Sequence, residues 1–388
     1  MDGMSGHFDA VVIGGGPAGS SSARALARLG WRTALVEHGP RHRLKTCGTC
    51  LNARAVRLLR RAGVLQDVQG IAVGATCRVR VHVVGKPVLS VALPRCGDAG
   101  GGLLVPRDRL DQLLIDLARQ AGVQVVQPAT ARVIDVTSRG ALIELRQGPS
   151  TVRLRSRLVV GADGLRSAVA DAAGLGRRHR AGSKFGFAMD VASPAGGAVP
   201  PDTIEMFVVR GGYLGVVDHG AGRLHLAGLV DGRRGRAGNP IDFVESVAGR
   251  FDALRRAGLH RLRRRAFDRM TGAGPIPCRP QRVAAGPVAL VGDAAGYTEP
   301  FSGEGISWAL QSAEILAESV TGQAPGDWTA DSARRYRRGW RRRIGRRQHF
   351  GRVLASVLQQ PGLTGSLLAF LGRHPALGAW LVRRAVMP

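Results

Sequence analysis

The sequence predicts an α/β fold in which a nucleotide-binding lobe is interrupted by a lobe built mainly of β-strands. Residues 8–13 (FDAVVI) form a short apolar run typical of a buried parallel strand, and a glycine turn and a helix rich in small residues follow it. A second buried run, residues 288–291, returns much later in the chain, before another glycine turn. Between them, segments within residues 184–229 alternate as antiparallel strands do.

The composition fits a chain with a sizeable core and more than one domain. The 388 residues, 44% of them hydrophobic, exceed the usual size of a single domain. The formal net charge of +28 comes almost entirely from arginine, because lysine occurs only at Lys45, Lys86 and Lys184. No aromatic-rich basic motif accompanies this charge, so we expect no nucleic-acid partner.

Cysteine usage and hydropathy favour a reducing, cytoplasmic compartment. The five cysteines are an odd number, and the first strand begins near Phe8, which leaves no room for a secretory signal. No uninterrupted apolar run reaches the length of a membrane span. Cys47 and Cys50 form a CxxC, but no second ligand pair stands out, so we expect no metal site.

A glycine turn at Gly14, Gly16 and Gly19 lies between the first strand and a helix predicted from Pro17 to about Leu29. Gly14 permits the tight turn, and Gly16 lets the backbone approach a pyrophosphate. Gly19 allows the helix and the strand to pack closely. The spacing therefore predicts a dinucleotide-binding βαβ unit.

Two neighbouring features support a dinucleotide here. The helix begins at Pro17 and Ala18, where free N–H groups and the positive end of the helix dipole can face phosphates. Glu37 follows the second predicted strand, residues 33–36, where its carboxylate can accept hydrogen bonds from ribose hydroxyls.

A second motif follows the buried run at residues 288–291. A carboxylate at the strand end, Asp293, can hold ribityl hydroxyls, and a glycine turn opens a helix whose N–H groups can face the flavin N1 and C2 carbonyl. NAD enzymes need no such second site, so the motif favours FAD. The cofactor-binding residues expected here are Gly292, Asp293, Pro300, Gly303, Glu304, Gly305 and Ile306.

Two further elements complete a set of four. Gly161-Ala162-Asp163-Gly164-x-Arg166-Ser167 ends another buried strand, and Arg107-x-x-Leu110-Asp111 begins a helix from which Arg107 can reach the cofactor phosphates. In this order the elements resemble the FAD-dependent oxidoreductase superfamily of para-hydroxybenzoate hydroxylase-like monooxygenases, geranylgeranyl reductases and flavin-dependent halogenases. The resemblance covers about residues 8–325. It implies that Asp163 serves both FAD and a pyridine nucleotide in hydroxylase-type members.

The resemblance implies a glutathione-reductase-type, Rossmann-like FAD-binding lobe, a β-sheet substrate lobe and a C-terminal helical segment. We expect a discontinuous FAD-binding domain formed by residues 1–76, 103–176 and 275–325. The expected substrate domain comprises residues 77–102 and 177–274, and the C-terminal segment residues 326–388.

Two segments bear on the branch of the superfamily. Lys45-x-Cys47-Gly48-x-x-Leu51 resembles the loop that approaches the flavin in geranylgeranyl reductases, and residues 300–306 are similar to that branch as well. However, the aromatic-rich strand of those reductases is replaced by GYLGVV at residues 212–217, which argues against an isoprenoid substrate. The tryptophan-rich motif and catalytic lysine of halogenases are not recognisable.

We therefore favour a NAD(P)H-dependent flavin monooxygenase that hydroxylates a small aromatic, polyketide-like or lipophilic substrate, with NAD(P)H binding transiently. The alternatives are a geranylgeranyl-reductase-like reductase of carbon–carbon double bonds, and a halogenase or non-catalytic flavin-binding protein. Apart from the flavin, Cys47 is the candidate catalytic group, and Tyr213 and Met206 are candidate substrate contacts.

Three features of the sequence have more than one possible interpretation. The Cys47/Cys50 pair is consistent with free thiols, a functional Cys47 near the flavin or a redox disulfide. His219 and His225 are expected to be structural or solvated in preference to acid–base groups.

In residues 334–347, Tyr336, Trp340 and Ile344 share one face of an arginine-rich helix, which predicts either packing on the protein or peripheral contact with an anionic membrane. The oligomeric state is left open.

Overall fold

The computed structural model describes residues 6–93, 101–192, 199–232, 239–262, 270–298, 301, 303–358 and 373. The predicted cofactor residue Pro300 and most of the C-terminal segment beyond residue 358 lie outside these residues.

The strands, in chain order, are β1 (Gly6–Ile13), β2 (Thr33–Val36), β3 (Cys50–Asn52), β4 (Gly74–Thr76), β5 (Arg78–Val83), β6 (Leu89–Ala92), β7 (Gly102–Leu104), β8 (Gln124–Val126), β9 (Thr130–Thr137), β10 (Gly140–Gln147), β11 (Ser150–Gly161), β12 (Arg177–Ala192), β13 (Thr203–Val209), β14 (Gly212–Asp218), β15 (Arg223–Asp231), β16 (Thr271–Pro280), β17 (Ala284–Ala285) and β18 (Val288–Leu290).

The helices are α1 (Pro17–Arg28), α2 (Ala53–Arg61), α3 (Leu65–Gly70), α4 (Arg107–Gln120), α5 (Ala168–Ala172), α6 (Pro240–Ala248), α7 (Asp252–Arg256), α8 (Gly305–Val320), α9 (Ala330–Trp340) and α10 (Arg346–Leu358). Two short 3-10 helices span Leu259–Arg261 and Gly292–Ala295, and a π-helical turn, Arg341–Gly345, joins α9 to α10.

An eight-stranded sheet forms the nucleotide-binding half, with β17, β18, β11, β1, β2 and β8 in order and β10 and β9 extending from β11. β1 pairs in parallel with β2 and with β11, so that Val12 lies between Leu35 and Val160. These residues are fully buried, as expected of a parallel sheet covered on both faces. Helices α1, α4 and α8 pack together on this half, which brings the two glycine turns to the same region.

A seven-stranded sheet, ordered β16-β12-β15-β14-β13-β5-β6, forms the other half. Side chains along its strands alternate between the two faces of the sheet, which differ in their surroundings. Phe207, Leu226 and their neighbours pack against α6 and α7, whereas Met206, Tyr213 and Leu229 form a separate apolar cluster on the opposite face. A small sheet of β3, β7 and β4 lies beside α2. The α/β class and the C-terminal helical segment predicted from the sequence are confirmed.

The arginine-rich helix α9 packs its apolar face into the protein. Tyr336, Trp340 and Ile344 are all buried in the core of the nucleotide-binding half, and the Tyr336 hydroxyl donates to the Leu290 carbonyl at 2.5 Å. That face is therefore occupied by protein. Membrane contact stays a prediction that depends on the exposed arginines of this segment alone. Within the described ranges, no helix combines the length and the apolar character needed to cross a bilayer.

Candidate active site

A cavity of about 1660 Å³ is lined by residues of both large sheets. Ordinary ligand pockets measure roughly 300–1,000 Å³, so this cavity has room for a dinucleotide and a second small molecule. The residues predicted from the sequence that line it are Gly14, Gly16, Pro17, Ala18, Glu37, Cys47, Arg107, Asp163, Met206, Tyr213, Gly292, Asp293, Gly303, Gly305 and Ile306.

The three glycines of the first turn have different surroundings. A Cβ on Gly14, which has φ +109°, would lie 2.3 Å from the Ala162 carbonyl oxygen, and one on Gly19 would lie 1.8 Å from the Gly14 oxygen. A Cβ on Gly16 would meet only Lys45 Nζ, at 3.9 Å. Gly14 and Gly19 therefore allow close backbone packing, while Gly16 leaves the backbone open to a ligand. No side chain caps the start of α1.

Glu37 is held firmly at the end of β2. Its Oε2 accepts a hydrogen bond from the Gly15 N–H at 2.6 Å, and its Oε1 accepts one from Gly39 at 2.7 Å. Lys45 Nζ lies 4.0 Å from Oε2. The carboxylate is therefore a fixed, buried acceptor at the cavity edge.

The second glycine turn is inserted between α1 and α8. A Cβ on Gly292 would lie 2.7 Å from the Ala18 Cβ, and the Gly292 N–H donates to Ser312 Oγ at 3.0 Å. Asp293 follows at once. Burial raises the pKa of Asp293 to about 6, although the positive charges of Arg107 and Lys45 act in the opposite direction. The Asp293 carboxylate of the second motif is thus a hydrogen-bond acceptor at the cavity, with these two cationic side chains nearby.

Asp111 organises these cations; it belongs to the Arg107 motif but was not among the predicted cofactor-binding residues. Its carboxylate accepts from Arg107 Nε at 2.9 Å and Nη2 at 3.0 Å, and lies 3.1 Å from Lys45 Nζ. Burial alone would lower the pKa of Arg107, but Asp111 and the Cys47 side chain raise it above its ordinary value. The i,i+4 spacing of Arg107 and Asp111 on α4 was the available signal.

The start of α8 also faces the cavity, and no described residue caps it with a side chain. Asn52 ties it in place: its Oδ1 accepts from Ser307 Oγ at 2.6 Å, and its Nδ2 donates to the Gly303 carbonyl at 3.3 Å. Glu304 is not among the lining residues, because its side chain turns towards Arg54 and Arg347, at 3.9 and 3.3 Å. If Glu304 binds the cofactor as predicted, its backbone must make the contact.

Asp163 lines the cavity between the two glycine turns. Its Oδ2 accepts from the Val169 N–H at 3.1 Å. Its Oδ1 is buried and has no hydrogen-bond partner within the described part of the chain. Because a buried unpaired acceptor is costly, this oxygen is suited to a ligand donor.

The second sheet contributes an apolar wall. Tyr213 lies there with its ring edge-on to Phe301, 5.3 Å between centroids, and its buried hydroxyl has no partner among the described residues. Burial raises the pKa of Tyr213 well above its ordinary value, so the hydroxyl stays protonated. Met206 and Tyr213 are accompanied on this wall by Val79, Val81, Leu89, Ile204, Val217 and Ala227.

At one end of this wall is a polar cluster of Asp190, which no sequence motif marked, with His219 and His225, which were expected to be structural or solvated. His225 Nδ1 lies 2.7 Å from Asp190 Oδ1, and His225 Nε2 lies 2.6 Å from the Cys47 carbonyl oxygen. His219 Nδ1 lies 3.5 Å from the same Asp190 oxygen. The cluster depends on the register of β12, β14 and β15, which residue spacing alone does not reveal.

The two cysteines of the CxxC differ in environment. Both are free thiols. Burial raises the pKa of Cys50 to about 12, so it remains an unreactive thiol. Both cysteines line the cavity, and Cys47 has its side chain at the Arg107 guanidinium.

The interrupted two-sheet fold, with its two glycine turns on one cavity, defines an FAD-dependent oxidoreductase. A sequence profile of the FAD-binding domain family matches residues 7–346, and the chain belongs to this family.

Named relatives span more than one chemistry. The chain is 28% identical to digeranylgeranylglycerophospholipid reductase 2 of Methanothermobacter thermautotrophicus over 353 residues, 87% of this chain and 84% of that protein. It is 29% identical to a putative 2-heptyl-3-hydroxy-4(1H)-quinolone synthase of Rhodococcus erythropolis, over 97% of this chain and 95% of that protein. A geranylgeranyl bacteriochlorophyll reductase-like protein of Thermoplasma acidophilum shares the fold, with a TM-score of 0.74 and 22% identity over 94% of this chain and 90% of the other.

Proposed function

We propose that this protein is an FAD-dependent reductase that saturates carbon–carbon double bonds of an apolar, isoprenoid-like substrate. One observation carries the proposal: the Cys47 loop and the dinucleotide motifs open onto the apolar wall of the second sheet within a single cavity. The similarity to a digeranylgeranylglycerophospholipid reductase supports it. The sequence alone favoured hydroxylation.

The cavity fits FAD in its first half. We assign the pyrophosphate to the uncapped start of α1 and the open backbone of Gly16, and the adenosine ribose to Glu37. Asp293 and the unpaired oxygen of Asp163 would accept cofactor hydroxyls or N–H groups. The uncapped start of α8 would stabilise negative charge on the reduced ring. Bound FAD supplies hydride-transfer chemistry, and NAD(P)H is the proposed source of its electrons.

The second half of the cavity would bind the substrate. Adding two hydrogens across a double bond requires a proton as well as a hydride. Tyr213 presents on the apolar wall a buried, protonated hydroxyl without a partner among the described residues. We assign proton delivery to it, and solvent returns a proton to the phenolate when the product leaves the cavity. The surrounding aliphatic side chains exclude water from a hydrocarbon chain.

Hydroxylation remains the second candidate, because the similarity to the quinolone synthase extends over 97% of this chain. The two candidates differ in their need for oxygen. A hydroxylase incorporates an oxygen atom from O₂, whereas the reductase adds only two hydrogens.

Anaerobic turnover separates the candidates. FAD-loaded protein, reduced with dithionite, is mixed without oxygen with a geranylgeranyl lipid and with an aromatic ketone. We expect the lipid to gain two hydrogens for each bond reduced, by mass spectrometry, and the ketone to be unchanged. A product that contains oxygen, formed only when air is admitted, would instead establish the hydroxylase.

A further inference from the structure

Three side chains that can bind a cation converge at the polar end of the apolar wall. Asp190 on β12 lies directly opposite His225 on β15, because the two residues pair across the strands. His219 follows β14, two residues after Val217, which also pairs with His225. Side chains two residues apart along a strand share a face, so His219 joins the same cluster. The ligand atoms of Asp190, His219 and His225 all lie within 4.8 Å of one another.

The Cys47 carbonyl selects the tautomer of His225. Nε2 lies 2.6 Å from that oxygen, which can only accept, so the proton of a neutral ring belongs on Nε2. Nδ1 then presents a lone pair to Asp190 Oδ1, 2.7 Å away, and two acceptors so close together repel each other unless a cation lies between them. An imidazole that binds a metal through one nitrogen commonly donates from the other to a carbonyl, as His225 can here.

His219 approaches the same Asp190 oxygen as His225 does. Its Nδ1 lies 3.5 Å from Oδ1, and the two imidazole rings are 5.0 Å apart. Its Nε2 is buried and has no partner among the described residues, so neither tautomer of His219 is excluded by a second contact. Protons that charged both rings would place two positive charges side by side, which is unfavourable. One divalent cation can instead be bound by both rings and the carboxylate together.

The ligand set and its surroundings suit Zn²⁺. Two imidazole nitrogens and a carboxylate oxygen are typical zinc ligands, and three protein ligands leave a fourth position for water. Neighbouring ligand atoms of a tetrahedral zinc site lie about 3.3 Å apart, so the His219 contact already fits and the His225 contact would open by about half an ångström. The histidine side chains are 11% and 8% exposed and that of Asp190 is 20% exposed, which leaves an approach for the ion.

We propose that Asp190, His219 and His225 form a binding site for Zn²⁺. The site borders the cavity through His225, and a bound ion would join β12, the end of β14 and β15 at the point where His225 meets the Cys47 backbone. No metal site was expected from the sequence because the Cys47/Cys50 pair has no second ligand pair, and neither cysteine belongs to this cluster. Zinc binding here does not depend on whether the protein is a reductase.

The zinc content of the FAD-loaded protein tests the site. The protein is dialysed against Zn²⁺ and then against metal-free buffer, and zinc is counted by mass spectrometry with an inductively coupled plasma. We expect one Zn²⁺ per chain in the wild type. Competition with a chromophoric chelator then gives the affinity. Asp190→Asn and His219→Gln should each weaken it by more than about 100-fold, because each removes a ligand and loss of a ligand's outer partner alone costs up to about that much.

His82→Gln is the matched control for the loss of a histidine. His82 is another buried histidine of the second sheet that pairs with a carboxylate, Glu205, and it stacks on Phe207. Cys50→Ala is the control for the CxxC, whose two thiols are free. Both variants should keep one Zn²⁺ at the wild-type affinity.

Co²⁺ in place of Zn²⁺ gives a measurement that needs no variant, in case the cluster variants do not fold. In the difference spectrum against metal-free protein, nitrogen and oxygen ligands give visible d–d bands. Cysteine ligands would add a near-ultraviolet sulfur-to-metal band, which we expect to be absent.

Three results would overturn the proposal. Wild-type protein that retains no Zn²⁺ would leave a proton as the cation between His225 and Asp190. Loss of the ion in Cys50→Ala, or a sulfur-to-metal band with Co²⁺, would assign it to the cysteines. Equal affinity of the wild type, Asp190→Asn and His219→Gln would place the ion elsewhere on the chain. Because no readout is catalytic, a failed reductase assay would leave this test intact.

Discussion

Gly292 lies so close to Ala18 that a Cβ on the glycine would come within 2.7 Å of the alanine Cβ. This contact joins the second glycine turn to the first turn of α1. Gly292 also has φ +58°, a left-handed conformation that glycine adopts without strain. Contact and conformation together exclude a side chain at this position.

Gly292→Ala is therefore expected to weaken FAD binding by about tenfold or more, because the strain of about 1–2 kcal/mol and the steric overlap both displace the turn. Fluorescence titration with FAD measures the change. Gly286→Ala is the control: it has φ +51° and open space around its Cβ, so it should show strain without loss of affinity. Equal FAD affinity in the Gly292 variant and the wild type would contradict the assignment.

Asp293 should make the FAD-free protein less stable as pH rises. Its pKa in the folded chain is about 6 against an ordinary 3.8, so the unfolded chain releases the proton first. Stability from this group is fully present below about pH 4 and is lost as pH rises through about 6, by at most about 3 kcal/mol.

Asp293→Asn cannot ionise, so the FAD-free variant should lose this part of the pH dependence and unfold at higher denaturant than the wild type at about pH 7. Below about pH 4 the two should coincide. Parallel stability curves for the two proteins across this range would disprove the burial effect. FAD affinity should fall in the variant, because an amide is a poorer acceptor for cofactor hydroxyls.

Tyr213→Phe removes only the hydroxyl assigned to proton delivery. We expect reductase kcat to fall by about 100-fold, at the lower end of what a positioned acid contributes, with KM and FAD content unchanged. Tyr336→Phe is the matched control, since its buried hydroxyl donates to the Leu290 carbonyl and Tyr336 is not among the residues that line the active-site cavity. That variant should lose about 1 kcal/mol of stability and keep its turnover. Wild-type kcat in Tyr213→Phe would remove the residue from the mechanism.

Cys47→Ser tests the thiol at Arg107. We expect turnover to fall by about tenfold or more while FAD remains bound, because serine keeps the loop but lacks an acidic, polarisable sulfur. Cys77→Ser, at an exposed free thiol, should behave as wild type. If both variants turn over equally, Cys47 has no catalytic part.

The sequence predicted the parts of the fold whose signals are local. The strand at residues 33–36 and the helix that begins at Pro17 are present as predicted, because the apolar run and the glycine turn that mark them are short-range features. β16 was missed, since TGAGPIPCRP is rich in glycine and proline, which only an edge strand tolerates. Nor does residue spacing mark the change of partner along β11, which pairs antiparallel with β10 and parallel with β1.

The residues of the candidate site also fall into those that local motifs predict and those that only the fold brings together. Residues that recognise a dinucleotide occur in compact motifs, so Gly16 and Asp293 were predicted and both line the cavity. Asp190 and His225 meet only because β12 pairs with β15 at that register, and the sequence carries no short-range mark of that pairing. Side-chain contacts between paired strands could therefore not be predicted from the sequence.

Neutralising exposed arginines of the α9–α10 segment tests membrane contact. Arg338, Arg341 and Arg342 are exposed, whereas Trp340 is 4% exposed. Changing the three arginines to glutamine should weaken binding to anionic liposomes by about 100-fold, at about 1 kcal/mol per charge, without lowering Tm. Trp340→Ala should instead lower stability by about 3 kcal/mol or more. Identical flotation of wild type and triple variant would end the membrane prediction.

β18 and α8 complete the half of the protein that begins with β1, yet they follow the whole second sheet in the chain. A ribosome must therefore synthesise the whole second sheet, and then β18 and α8, before the nucleotide-binding half can be completed. Until then β11 has an unpaired edge where β18 will add. FAD should therefore bind late in biosynthesis. Chains that terminate before Gly292 should fail to bind FAD and should be degraded.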